Sequence, residues 1–450
     1  MSARFGIISI IYMLFIARAL GQIDESMESK GVILSLEQDT ASVSLEVAGG
    51  VKEGDRVRID RINDEGEVEV IRGEIAEIRE TDAIVKINTT KLEIGQTARI
   101  FPVAPVLEAD ILASIPDDKF SLSDPVDDDK LDRKAALEAC RTALTEFPEE
   151  PRFHAQLGRL LEVLEKPASA ILNYERALEL EPNYPVVLHK LASLRFFGPE
   201  ELRDMEVARD FYRRAAELEF DAAMPVIGSM SRDASGGPRD YEAAVHWFEI
   251  AANKGNPYSQ NALAQCYENA WGIDQDISKA LLWYRSSAEL DHAPAMWNLG
   301  RVFDKGIGVE ANEASAFDWY GKAAKRGHLD ATVALADCYL EGRGIDEDSE
   351  IALELFNKAV ERGNSDAMRR LAEIYLAGEV VKKDYDIAAS FYRKAAAKGD
   401  PIAQFSLASM LEKGRGITRS KDEAIAFYQD AARQGHNSSQ KRLLQLRVDW

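Results

Sequence analysis

In the stretch YLEGRGIDED two glycines, Gly342 and Gly344, stand two residues apart with charge on both sides. A glycine-rich loop can cradle a phosphate, because backbone N–H groups reach an oxyanion where no side chain intervenes. Such a loop occurs once, follows a strand and carries Lys followed directly by Ser or Thr. Here the pair recurs as Gly306 with Gly308 and as Gly414 with Gly416, Gly272 stands alone at the equivalent place, and no such dipeptide accompanies them. The glycines therefore read as helix ends, in a backbone conformation that a side chain resists.

Other chemistry-bearing residues are similarly scattered. Of 6 histidines, His292, His328 and His436 share one repeat position just after a helix. Their spacing puts them on different turns, as capping surface residues rather than a metal site. Cys140 stands alone, whereas Cys266 and Cys338 are two repeat units apart, beyond the roughly 7 Å Cα limit for a disulfide. They are expected as buried or half-buried thiols. The sequence contains no HExxH, serine-nucleophile or CxxC motif. No catalytic, metal or cofactor residue is expected, and the chain reads as a non-enzyme.

With 450 residues and 46% hydrophobic composition, the chain can build a sizeable core. A net charge of -22 argues against nucleic acid or anionic lipid as the primary partner. Residues 1–21 read as an export signal: Arg4 precedes the apolar run Phe5 to Ala17, and small residues then permit cleavage. The run is short for a membrane span. The expected location is extracytoplasmic, in the periplasm or secreted. The alternative is a chain anchored to the membrane through this segment alone.

Any site must be positioned by the regular elements of the chain. Over residues 29–102, ASVSLEV, DRVRIDR, GEVEVIRGEIAEI and DAIVKI alternate apolar and polar residues, the period of half-buried strands. About five or six short strands imply a small all-β barrel or sandwich. The phrase GVKEGDRVRI resembles the turn and strand of SH3-like barrels in exported bacterial proteins. Asp55, Glu67 and Glu74 are carboxylates that could serve a carbohydrate-binding or hydrolytic alternative there. Residues 103–133 read as an acidic linker, whose Asp clusters lack the ligand spacing of a cation site.

Beyond the linker a register of 36 residues takes over. Aromatic pairs recur as Phe211-Tyr212, Trp247-Phe248, Trp283-Tyr284 and Trp319-Tyr320, then Leu355-Phe356, Phe391-Tyr392 and Phe427-Tyr428. Alanines ahead of them (Ala208 to Ala424) and a leucine–small pair (Leu263-Ala264, Leu299-Gly300, Leu335-Ala336 and onward) keep the same step. A fixed period of this length means a solenoid of helix hairpins, in which small residues let two helices approach and the aromatics fill the gap. A shorter period of 34 precedes it: Ala136, Cys140, Ala143 and Pro148 return as Ala170, Tyr174, Ala177 and Pro182. The turn inside each later unit is longer by four residues, and the junction between units shorter by two.

The segment PRFHAQLGRLLEVLEKPASAILNYERALELEPNY resembles a tetratricopeptide repeat. ATVALADCYLEGRGIDEDSEIALELFNKAVERGN is similar to a Sel1-like repeat, a subfamily of the same hairpin design. The resemblance implies an α-solenoid with a tetratricopeptide-like region at 134–184, seven Sel1-like repeats at 185–436 and a capping helix at 437–450. Some exported members carry a disulfide in each repeat, a pattern from which this chain departs. It further implies a protein or peptide partner, with no small-molecule substrate, gripped by the first helices. By that resemblance the ligand-facing positions are Asn261, Gln265, Glu268, Trp297, Arg301, Asp304, Val333, Asp337, Arg369, Glu373, Phe405 and Ser409. Trp297 and Phe405 have two readings. They are partner contacts whose removal leaves the melting temperature unchanged, or they cover neighbouring units.

Overall fold

A computed structural model describes Ile115 and residues 132–450 in full, together with the backbone of seven strands nearer the N-terminus. The strands are β1 (Ile11–Leu14), β2 (Glu28–Glu37), β3 (Thr40–Leu45), β4 (Arg56–Ile62), β5 (Val68–Ile78), β6 (Asp82–Ile87) and β7 (Ala98–Pro102). They pair in the order β1-β2-β3-β6-β5-β4-β7. The neighbours are antiparallel, and a parallel β7–β1 pairing joins the two ends of that order. Apart from the backbone of Ile11–Leu14, the expected export signal lies outside the described residues. So does nearly all of the acidic linker, and so do the side chains of Asp55, Glu67 and Glu74.

The remainder is helical: among the described residues there are 18 α-helices and no strand beyond Pro102. Two compact units divide the chain, Met1–Pro238 and Arg239–Trp450. The first contains α1 (Arg133–Glu146), α2 (Pro151–Val163), α3 (Pro167–Leu180), α4 (Pro185–Phe197), α5 (Met205–Glu217) and α6 (Ala223–Asp233). The second contains α7 (Tyr241–Asn253) followed by the hairpins α8 (Pro257–Asn269)/α9 (Ile277–Glu289), α10 (Ala293–Lys305)/α11 (Glu313–Lys325) and α12 (Leu329–Glu341)/α13 (Ser349–Glu361). Then come α14 (Ser365–Ala377)/α15 (Tyr385–Ala397), α16 (Pro401–Lys413)/α17 (Lys421–Arg433) and the final α18 (Asn437–Leu446).

Helix lengths follow from the caps. Asp276, Asn312, Asp348, Asp384 and Ser420 each accept a backbone N–H from the first turn of a second helix. Asn256, Asn364 and Asp400 do the same for first helices. These short side chains satisfy donors that the helix leaves without a partner. At the other end, Gly306, Gly342, Gly378 and Gly414 close first helices at positive φ. Each helix in the hairpins of the second unit is 13 residues, about 20 Å.

Within a hairpin the small residue of the first helix lies against the second aromatic of the next. A Cβ on Gly300 would sit 2.5 Å from the Tyr320 ring, and one on Gly158 2.6 Å from Tyr174. That contact accounts for glycine at these two positions; where alanine stands there, the ring must sit slightly further off. Phe248, Tyr284, Tyr320, Phe356, Tyr392 and Tyr428 are buried, as are the alanines one turn ahead of them. The first aromatic of each pair is only half-buried, at Trp247, Trp283, Trp319, Phe391 and Phe427. Thus one ring, not two, fills the gap, while its neighbour lies along the flank; Lys322 Nζ stands 4.2 Å over the Trp319 ring. In α18 the small position is taken by Leu444, which is 64% exposed. A leucine there would clash with the ring that the second helix of a hairpin brings.

Candidate interaction surface

The first helices of the second unit carry all twelve positions expected to face a ligand, and most of them are engaged within the chain. Asn261 is 6% exposed, Val333 7% and Glu268 9%, which corrects their reading as ligand-facing. Burial follows from the neighbouring hairpin. Asn261 accepts a hydrogen bond of 3.0 Å from the buried Asn298 Nδ2, and Val333 joins the apolar core around Phe356. The other nine are half-buried.

Charged members of the set pair between hairpins. Arg301 holds both Glu268 oxygens, at 2.7 and 2.6 Å, while Tyr284 donates to Glu268 at 2.8 Å. In the next hairpin Tyr320 donates to Asp304 at 3.4 Å, and Asp304 is paired with Arg343 at 2.6 Å. Arg370 then joins Asp337 at 2.7 Å, Glu373 at 3.0 Å and Glu341 at 3.2 Å. Arg369 joins Glu373 and Asp366 at 2.9 Å and approaches Asp400 at 3.4 Å. At the end of the array Arg442 engages Glu412, which also accepts from Tyr428 at 3.1 Å. Charges linked in a network contribute more than isolated surface pairs, and they fix the spacing of successive hairpins.

The tyrosine hydroxyls explain the acids. A fully buried phenol needs an acceptor, and the carboxylate sixteen residues earlier supplies it in three hairpins, at Glu268, Asp304 and Glu412. Where the ring is Phe356, the residue at that distance is Leu340; Tyr392 has Leu376 there and turns to Ser406 instead. Burial and then the Glu268 charge push the Tyr284 hydroxyl upward. Burial pushes Tyr428 up to about 12. The Arg442 hydrogen bond holds Glu412 below the usual carboxylate range. Burial lifts Asp337 despite Arg370 beside it.

Trp297 and Phe405 each pack on the histidine that caps the first helix of the next unit. Trp297 stacks on His328, and Phe405 lies 5.0 Å from His436 and 5.6 Å from Tyr428. Both pack against the apolar core. The histidines at this position are half-buried N-caps rather than surface residues. His328 accepts the Ala331 N–H at Nδ1, and His436 accepts that of Ser439. His292 Nδ1 lies 3.1 Å from Ser287 Oγ. Among the described residues no group of three His, Cys, Asp or Glu side chains is placed to hold a metal ion. Cys266 and Cys338 are both buried, and burial pushes the Cys338 thiol up to about 11.

The paired glycines close the turn. Gly342 ends α12 at φ +66°, and Gly344, at φ +73°, brings the turn onto the start of α11 in the preceding hairpin, where a Cβ would meet Glu313 O at 2.3 Å. That approach leaves no room for an oxyanion over the Gly344 Cα.

The Sel1 repeat family model matches residues 185–220, 227–256, 257–292, 293–328, 329–364, 365–400 and 401–436, more than half of the chain. The chain belongs to the Sel1 repeat family. Two solved structures share the arrangement. One is an antigen, described as protective, that is present in uropathogenic Escherichia coli strains and displays the Sel1-like repeat fold; it is 29% identical over 70% of this chain and 68% of its own, with a TM-score of 0.53. The other is a Sel1 repeat protein from Oxalobacter formigenes, 25% identical over 69% of this chain and 90% of its own, also at 0.53. No curated protein is significantly similar to the chain. The seven matches begin at residue 185, and the second covers only residues 227–256. The helix where that match begins, α6, is 11 residues long.

Proposed function

We propose that this Sel1 repeat protein is a non-catalytic scaffold, exported from the cytoplasm, that holds a protein or peptide segment along its helical array. The reading rests on one observation: the conspicuous polar side chains of the repeats, Glu268, Arg301, Asp304, Asp337, Arg369 and Arg370, are engaged with partners in the neighbouring hairpin. Chemistry built on them would have to dismantle the array. A rigid row of hairpins offers instead a long, pre-ordered surface, whose rigidity lowers the entropic cost of gripping an extended segment. Export is supported by Arg4 and the apolar run that follows it. The N-terminal β module, read as a small SH3-like barrel, would supply a second contact or an anchor to an assembly.

Crosslinking in the native envelope with a photoreactive group at Gln265 or Ser409, followed by mass spectrometry, tests the scaffold. A discrete set of adducts at either position is expected. Their absence, with the chain intact and folded, would remove the proposal. N-terminal sequencing of the mature protein separates export with cleavage from an uncleaved anchor.

A further inference from the structure

Charge is distributed unevenly along one edge of the array, the edge formed by the turns inside the hairpins. The first turns of the second unit are acidic: Asp274 and Asp276, then Glu310, then Asp346, Glu347 and Asp348. In the fourth hairpin Lys382 and Lys383 balance Glu379 and Asp384, and in the last the sign changes. Lys382 and Lys383 stand in the turn before α15, Lys413 ends α16, Arg415 lies in the turn after it, and Lys421 opens α17. All five are exposed. Whereas the arginines of the central hairpins are held by carboxylates, no ion pair among the described residues engages any of these five.

The fold places them together. A Cβ on Gly416 would lie 2.1 Å from Tyr385 O, so the turn carrying Arg415 rests on the start of α15, directly after Lys382 and Lys383. The amino ends of α15 and α17 lie at the same edge and add positive potential to it. Asp384 caps α15, where it accepts from the Asp386 and Ile387 N–H groups, and with Glu379, Asp386 and Asp422 it offsets part of this charge. On a chain of net charge -22, a cluster of exposed cations stands out and complements one class of ligand.

The geometry points to a docking edge for an acidic peptide segment of a partner protein, formed by Lys382, Lys383, Lys413, Arg415 and Lys421. This deepens the scaffold reading and rests on it. Complementary charge steers such a segment to the array and fixes its register, while the acidic turns upstream repel it and direct it to the last two hairpins.

The test is a fluorescence anisotropy titration of the full chain with a labelled deca-glutamate peptide, with deca-glutamine and a single-stranded decadeoxynucleotide as separate arms. Binding of deca-glutamate at about 20 mM NaCl, its loss near 500 mM and no binding of deca-glutamine are expected from screened surface charge. The K382E/K383E/R415E variant is expected to weaken binding at least about tenfold. A single Arg415→Gln variant, with circular dichroism unchanged, is expected to weaken it measurably and guards against misfolding of the triple variant. No binding of deca-glutamate, equal binding by the triple variant, or tighter binding of the oligonucleotide overturns the assignment. If the peptide fails while envelope crosslinks still form at Gln265 or Ser409, only this edge falls and the scaffold stands.

Discussion

The Trp297 and His328 rings lie 5.4 Å apart and nearly parallel, at 16°. Trp297 belongs to the first helix of one hairpin, and His328 caps the first helix of the next, so the stack is a joint between units. Arg369 meets the cap Asp400, and Phe405 meets the cap His436, across the same interval of thirty-one residues. Aromatic faces histidine and arginine faces aspartate. Each joint therefore has its own chemistry on a common backbone. Trp297→Ala and Phe405→Ala are expected to destabilise by about 1–3 kcal/mol each, less than a fully buried aromatic because both rings are half-exposed. Thermal denaturation of the full chain should show a fall of several degrees for either variant. An unchanged melting temperature would show that these rings are not joints.

The same joint sets a pH dependence. Burial lowers the pKa of His328, and also that of His292, where the charge of His328 adds to the effect. Both titrate in the folded chain below the unfolded value of about 6.5. The neutral form is thus favoured by folding. Its contribution is complete above the unfolded value and is lost as pH falls through the lower, folded one. Protonated Nδ1 can no longer accept the Ala331 N–H. Asn caps the equivalent helices at Asn256 and Asn364, so His328→Asn keeps a cap that does not titrate. Melting temperature is expected to decline as pH falls below about 6.5 in the wild type and to decline less in His328→Asn. Identical slopes would remove His328 from the linkage.

Periodicity alone reveals the hairpins, because spacing between alanines, small residues and one aromatic reflects packing within a unit, and that packing repeats. It also locates the glycine turns. It does not reveal which face of the first helix is free. Asn261 and Val333 occupy positions that would line the inner face of a generic hairpin, yet the next unit buries them. Their partners lie more than a full helix away in sequence and differ in kind at each joint. Comparing residues thirty-one apart would have matched Trp297 to His328 and Arg369 to Asp400. Comparing residues sixteen apart would have matched Tyr284, Tyr320 and Tyr428 to Glu268, Asp304 and Glu412, though not Tyr392, which has Leu376 at that distance. The half-buried first aromatic, by contrast, leaves no signal in the spacing, since both members of each pair repeat equally well.

Tyr284 and Glu268 allow a coupling experiment. Tyr284→Phe removes one hydrogen bond and leaves Glu268 held by Arg301, at an expected cost of about 0.5–1.5 kcal/mol. Glu268→Leu strands both a buried hydroxyl and a guanidinium and should cost several kcal/mol. The double variant approaches the Phe356 and Leu340 arrangement that the chain already uses. It is expected to be more stable than Glu268→Leu alone by about 1 kcal/mol, in a double-mutant cycle read by urea denaturation. Simple additivity of the two losses would mean that the hydroxyl finds another acceptor.

Gly344 and Gly255 both hold positive φ, at +73° and +87°, but differ in surroundings. Gly255 has open space where a Cβ would go, so Gly255→Ala carries only the conformational cost, about 1 kcal/mol. Gly344→Ala carries that cost and also drives a methyl to 2.3 Å from Glu313 O, a contact that backbone must move to relieve. Because Glu313 begins α11, movement there loosens the junction between two hairpins rather than a single turn. Gly344→Ala is therefore expected to cost about 2–4 kcal/mol. Hydrogen exchange should show faster opening at the start of α11 and in the turn after α12, and little change in α16. Equal melting temperatures for the two variants would show that the close approach at Gly344 adds nothing to the conformational strain.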